Sequence, residues 1–134
     1  MAAAYEQIVL EYARRAAENP LECLDIRAAC TRYLHDLASG RWDFRPSEAE
    51  MIILIIENLF CHQQGEDLSG RPLRGKPLKL MPFQLFVIYN LFGFFMPGTI
   101  IRRYQEGLVM LPRKNGKTPF ATALCYGRSF SKIL

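Results

Sequence analysis

Negative charge is what the second half of this chain lacks. Glu106 is the only acid from Arg71 to Leu134, against 11 Lys and Arg, for a formal charge of +10. Met1 to Gly70 holds 12 acids and 6 bases, or −6, so the 134 residues sum to +4. Such a split points to an anionic partner for the second half, or to two halves that partly neutralise each other in the fold. Long apolar runs are absent too. "MIILII" (Met51 to Ile56) and "LFVIYNLFGFFM" (Leu85 to Met96, interrupted by Asn90 and Gly93) fall short of the roughly 20 apolar residues a spanning helix needs, so both are expected to be core helices.

No two of the four cysteines, Cys23, Cys30, Cys61 and Cys125, have CxxC spacing. No secretory signal opens the chain: Met1 is followed by three alanines and a charged, amphipathic stretch. Thiols that are free and mostly buried, in a reducing cytoplasm, are the expectation. Internal repeats and low-complexity tracts are also missing. With 50% hydrophobic and 22% charged residues, the composition excludes wholesale disorder and suits a single core.

Helices dominate the pattern. Ile8, Tyr12 and Ala16 recur every fourth residue, predicting a helix over Ala2 to Glu18 that Pro20 stops. Leu24, Ala28, Thr31, Leu34 and Leu37 predict a second over Leu21 to Ala38, ended by Ser39-Gly40. His35 reads as a surface residue of that helix. Ser47 and Glu50 have capping-box spacing, so a third helix is expected from Glu48 to about His62. A polar, Gly- and Pro-rich connection follows. "LKL" (Leu78 to Leu80) suggests a short strand, and Pro82 opens a fourth helix that reaches about Phe95. "IIRRYQEGLVMLP" predicts one bent strand or two short ones, and "GLVML" is the strongest strand candidate of the chain. A last helix is expected from near Lys117, with Pro119 in its first turn.

Between that strand and that helix lies "LPRKNGKT", Leu111 to Thr118. A helix starting there points unpaired N–H groups and the positive end of its dipole at the loop, which favours an anion. Gly116 lets backbone and phosphate approach closely, Lys117 can reach β- and γ-phosphate oxygens, and Thr118 can offer its hydroxyl to a phosphate-bound Mg²⁺. Leu111 stands where the common P-loop pattern has its first glycine. The other reading of this stretch is a basic turn with solvated lysines.

"LPRKNGKT" resembles the variant phosphate-binding loop of tailed-phage terminase large subunits, the ATP-driven motors that package DNA into capsids. "ACTRYLHDL" (Ala29 to Leu37) is similar to a helical segment near the start of these proteins. "GKPLKLMPFQLFVIYNLFGF" (Gly75 to Phe94) resembles the segment leading into their ATPase domain, with Phe83 where the family usually has Trp. The resemblance implies a mostly α chain leading into an incomplete α/β P-loop ATPase domain, with a helical region over 1–74 and the start of the ATPase over 75–134. It implies ATP and Mg²⁺ as ligands, held through Lys114, Asn115, Gly116, Lys117 and Thr118, with the metal on Thr118. Arg113 matches the loop arginine that can stabilise charge on the γ-phosphate, and Gln84 the adenine-side glutamine. Double-stranded DNA, the terminase small subunit and the portal protein are the implied partners; no membrane is.

A P-loop motor also needs a carboxylate after a later strand to hold Mg²⁺ and another to orient water. None of the 16 residues after Thr118 is Asp or Glu. Glu57, after "MIILII", precedes the loop and belongs to a helix. The expectation is therefore a truncated piece, such as a prophage remnant or one part of a split gene, that does not hydrolyse ATP alone. Without neighbouring strands, "GLVML" and the apolar helix that follows are expected to expose surface, bringing marginal stability or self-association. Two other readings compete. In one, a basic non-enzymatic module contacts nucleic acid through Arg102, Arg103, Arg113, Lys114 and Lys117; in the other, a helical module docks on a partner through Leu85 to Met96.

Overall fold

The computed structural model describes residues 2–60, 69–72, 74–76, 79–111, 120–125 and 127. It is mostly helical, with a short two-stranded sheet. The named elements are α1 (Ala2–Glu18), α2 (Leu24–Ser39), β1 (Asp43–Phe44), α3 (Pro46–Leu59), α4 (Pro82–Gly93) and β2 (Phe94–Phe95). Residues 120–125 are helical as well. The chain divides into two compact units, Met1–Glu50 with Met81–Val109 and Met51–Leu80 with Met110–Leu134.

The first unit is built on α1, α2 and α4. Helix α1 runs over the predicted span, but its inner stripe is Val9, Ala13 and Ala16, while Ile8 is 38% exposed. Ala16 is common to both stripes and Tyr12 is half-buried, so the buried face is turned only part of the way from Ile8 toward Val9. Helix α2 starts three residues later than expected. Asn19 forms a turn first, its side-chain oxygen accepting the Leu21 N–H at 3.0 Å. Gly40, at φ 65°, closes the helix in the left-handed conformation that glycine adopts without strain. The buried residues of α2 are Cys30, Tyr33 and Asp36, whereas Leu24 and Thr31 are exposed. The aliphatic stripe predicted there is corrected: an aromatic and a carboxylate hold the inner face.

Tyr33 is the hub of that face. Its ring meets Phe86 at 5.4 Å, Phe94 at 5.9 Å and Phe44 at 6.3 Å, all edge-on. Phe44 and Phe94 lie 4.9 Å apart, and Tyr12 joins through Phe86 at 5.5 Å. Edge-on aromatic pairs each contribute about 0.5–1.5 kcal/mol beyond area burial. Leu85, Phe86, Ile88, Tyr89 and Phe92 of α4 are buried, so the run offered as a docking face is internal to this unit.

β1 and β2 pair antiparallel, Asp43 opposite Phe95 and Phe44 opposite Phe94. Arg102 bridges back to Phe95, and a turn at Gly98 (φ 71°) connects them. The Met96 N–H donates to Ile101 O at 2.8 Å and the Arg103 N–H to Phe94 O at 3.0 Å. Arg45 ties the ends together, donating from Nη2 to Asp43 at 2.6 Å and to Thr99 O at 2.9 Å. Helix α4 therefore stops at Gly93, two residues short of the expected end, because Phe94 and Phe95 extend to pair with β1.

Two further local expectations are corrected. Helix α3 begins at Pro46 and ends at Leu59, so Ser47 sits inside its first turn and does not cap it. The Arg45 carbonyl accepts the Glu48 N–H instead, at 3.2 Å. Glu50, the other half of the predicted capping box, accepts the Tyr89 hydroxyl at 2.9 Å in the core. A tertiary partner has displaced a local one.

In the second unit, Ile52, Ile53 and Ile56 of α3 are fully buried. Phe120, Ala123 and Gly127 share one helical face by their spacing, and all three are buried. A Cβ built on Gly127 would lie 3.1 Å from Ile52 Cγ2, so glycine allows the close approach to α3. Glu57 accepts the Leu80 N–H at 3.4 Å. Lys79 and Leu80 are not in a strand, which corrects that expectation for the described part of "LKL".

Candidate functional site

Arg113, Lys114, Asn115, Gly116, Lys117 and Thr118 lie outside the described residues. What can be placed is the chain on either side of them. Downstream, residues 120–125 are helical, as the phosphate-loop reading requires. Upstream, residues 107–111 are in no strand, which overturns the strongest strand expectation of the sequence. Leu108 is 87% and Met110 82% exposed. β-propensity measures how a side chain fits a pleated, half-buried surface, and no described neighbour supplies that surface here. The expected exposure is seen at Leu108 and Met110 but not at Phe120 and Ala123 of the helix that follows, which are buried.

Gln84 sits at the third position of α4, half-buried. Its side-chain oxygen accepts the Met81 N–H at 2.8 Å, satisfying a backbone donor that the helix start leaves unpaired. Pro82, beside it, needs no N–H partner. That bond uses one of the two lone pairs of the Gln84 amide oxygen and neither hydrogen of its NH₂ group.

Two of the candidate cations are engaged inside the first unit. Arg103, read as a candidate phosphate contact, is committed inside the first unit. Its Nη1 donates to Asp36 Oδ2, and the two side chains are 16% and 8% exposed. Its guanidinium lies 4.2 Å from the Trp42 ring centroid and 4.7 Å from that of Tyr104. Arg102 lies 4.7 Å over Phe92. The pair behaves as a clamp between α2 and the segment after β2, and it explains why α2 tolerates a buried carboxylate. Sequence reasoning missed it because its two partners are 67 positions apart.

A cavity of about 310 Å³ also lies in the first unit, between α2, α4 and residues 104–109. Phe86, Val87 and Leu91 give it apolar walls, and Arg32 lies 5.3 Å over the Tyr104 ring at its edge. Asn90 donates to Phe86 O at 2.8 Å, while its Oδ1 and the Tyr104 hydroxyl have no partner among the described residues. Gln84 does not line this cavity, whereas Phe86, Val87, Asn90 and Leu91 of the run Leu85 to Met96 do.

Burial shapes the titrating groups. The Cys30 thiol is pushed up to about 11, first by burial and then by the negative charge of Glu22, so it stays protonated and unreactive. Burial also raises Tyr33, and burial together with the Glu50 hydrogen bond raises Tyr89. Cys23 and Cys125 are exposed, so the expectation of mostly buried thiols fails for two of the three described cysteines; none of the three is in a disulfide. Among the described residues, no group of three or more His, Cys, Asp or Glu is placed to hold a metal ion. No helix among them is long and apolar enough to cross a membrane. Comparison of the chain with protein families, curated proteins and solved structures found no match.

Proposed function

We propose that these 134 residues form the N-terminal part of a DNA-packaging motor of the terminase large subunit type, carrying its adenine-side and phosphate-loop elements. The observation that carries this reading is "LPRKNGKT" running into the buried, helical Phe120. In this reading the backbone amides of Lys114 to Gly116 and the Lys117 ammonium hold the β- and γ-phosphates of ATP. The Thr118 hydroxyl meets the Mg²⁺, and Arg113 faces charge building on the γ-phosphate. Gln84 contributes one amide hydrogen bond to the base. Residues 119–134 contain no carboxylate side chain, so these residues bind nucleotide without the groups that hold Mg²⁺ from the far side and orient water. Double-stranded DNA, a small subunit and a portal protein are the partners that go with this reading.

Titration with a fluorescent ATP analogue and Mg²⁺ tests it. Binding is expected for the unsubstituted chain, with at least a tenfold loss in Lys117→Ala and no steady-state phosphate release in either. Equal binding by both proteins, or none by the unsubstituted chain at millimolar nucleotide, overturns the reading. Phosphate release that depends on Lys117 overturns its non-hydrolytic part.

A further inference from the structure

We propose that the cavity between α2, α4 and residues 104–109 is a binding site for a free α-amino acid with a phenolic side chain. Every residue lining it belongs to the first unit, so the inference rests on that unit's geometry and not on the loop at Arg113–Thr118. The volume, about 310 Å³, lies at the small end of the roughly 300–1,000 Å³ usual for ligand sites. A molecule the size of an amino acid suits it.

The buried polar groups are set for a hydroxyl. Asn90 is more than nine-tenths buried, and its Nδ2 donates to Phe86 O at 2.8 Å, which leaves Oδ1 as the end of the amide without a partner. The Tyr104 hydroxyl is buried and without a partner among the described residues as well. Two such atoms on residues of one cavity are unfavourable, because each has lost water and gained no hydrogen bond. A phenol repairs both at once: it donates its O–H to Asn90 Oδ1 and accepts the O–H of Tyr104. An indole N–H is a donor only, so it serves Asn90 and leaves Tyr104 unpaired. A benzyl side chain serves neither.

The walls suit the ring that carries this hydroxyl. Phe86, already held by Tyr12 at 5.5 Å and Tyr33 at 5.4 Å, forms one side with Val87 and Leu91. Aromatic rings pack edge-on or offset against such a ring. Gly107 keeps the facing chain close, since a Cβ there would stand 2.8 Å from Leu91 Cδ2. Arg32 and Glu106 are the two charged residues of the lining. Both are exposed, and neither makes an ion pair among the described residues. Their charges are opposite and cancel. A zwitterion matches that pair, its carboxylate on the Arg32 guanidinium and its ammonium on Glu106. A triphosphate, with several negative charges and no positive one, does not.

The test is equilibrium dialysis of the whole chain against radiolabelled L-tyrosine up to millimolar concentration. Saturable one-to-one binding is expected. L-Phenylalanine is expected to bind at least about tenfold more weakly, since it leaves both buried groups unpaired. N-acetyl-L-tyrosinamide, which lacks both charges, is expected to compete weakly. Two variants separate the ends of the site, their helicity checked by circular dichroism. Asn90→Leu is expected to erase most of the preference for tyrosine over phenylalanine. Arg32→Gln, on the exposed rim, is expected to weaken tyrosine about threefold and to leave tyramine, which has no carboxylate, unchanged. The ATP analogue is expected not to displace tyrosine. Absence of saturable binding, equal binding of phenylalanine or of the blocked amide, or displacement by the ATP analogue overturns the proposal. A chain that binds tyrosine and no nucleotide upholds this site and overturns the phosphate-loop reading alone.

Discussion

Removing the Asp36 carboxylate is the most informative perturbation of this fold. Asp36→Ala leaves the Arg103 guanidinium, 16% exposed, without its counter-charge. Breaking a buried ion pair from one side costs about 3–5 kcal/mol. The lower end is expected here, because Arg103 keeps its faces against Trp42 at 4.2 Å and Tyr104 at 4.7 Å. Such cation–π contacts retain about 1–2 kcal/mol. A loss of about 3 kcal/mol is roughly a fifth to three fifths of the roughly 5–15 kcal/mol that holds a typical domain. Urea unfolding followed by the fluorescence of Trp42, the chain's single tryptophan, reads the loss where it occurs. The double variant Asp36→Ala/Arg103→Met is expected to recover at least half of it, since both charges are then gone and Met can pack on the rings. A loss below about 1 kcal/mol in the single variant, or strict additivity in the double, refutes the buried clamp.

Two tyrosines should respond in opposite ways. Tyr89→Phe strips the hydroxyl from buried Glu50 and is expected to cost about 1–3 kcal/mol, whereas Tyr33→Phe removes a buried hydroxyl with no described partner and should be neutral or stabilising in the same urea assay. Gly93→Ala would set a Cβ 3.0 Å from the Phe44 ring, which Tyr33, Tyr89 and Phe94 hold in place, and a loss of about 1–3 kcal/mol is expected in urea midpoints. Cys30 predicts the alkaline limb of stability. Its protonated form is favoured by folding, so its contribution is fully present below the ordinary value of 9.0 and lost as pH rises through about 11. The loss is about 2–3 kcal/mol at roughly 1.36 kcal/mol per pH unit, and Cys30→Ala should flatten the fall in melting temperature between about pH 9 and 11. Tyr33 and Tyr89, raised in the same direction, keep the curve falling at still higher pH.

The helices were legible in the sequence because their signals are local. Apolar spacing, Pro20, Gly40 and Pro82 mark α1, α2 and α4 to within a few residues. Which face each helix buries was less legible. Val9 and Ile8 are equally apolar, and the choice between them is made by what packs against α1. Asp36 reads as a surface residue until Arg103 is in place, and Glu50 as half of a capping box until Tyr89 reaches it. Of the candidate site, Gln84 was correctly set at a helix start, but its use as a cap follows from the Met81 geometry and not from its identity. Two-residue strands such as β1 and β2 are too short to show a period of two.

The segment 107–111 shows the deeper limit. "GLVML" has the composition of a buried strand, yet it pairs with nothing among the described residues, and Gly107 lies so close to α4 that a Cβ would stand 2.8 Å from Leu91 Cδ2. A helix satisfies its backbone within itself, so its sequence alone can specify it. A strand is a relation between two stretches of chain, and its hydrogen bonds belong to both. The composition of 107–111 therefore specifies a readiness to pair, with Leu108 and Met110 held in solvent until an edge is supplied. The same argument separates the two halves of the phosphate-loop reading. The helix that follows the loop forms from its own residues, while the strand that precedes it requires a neighbour.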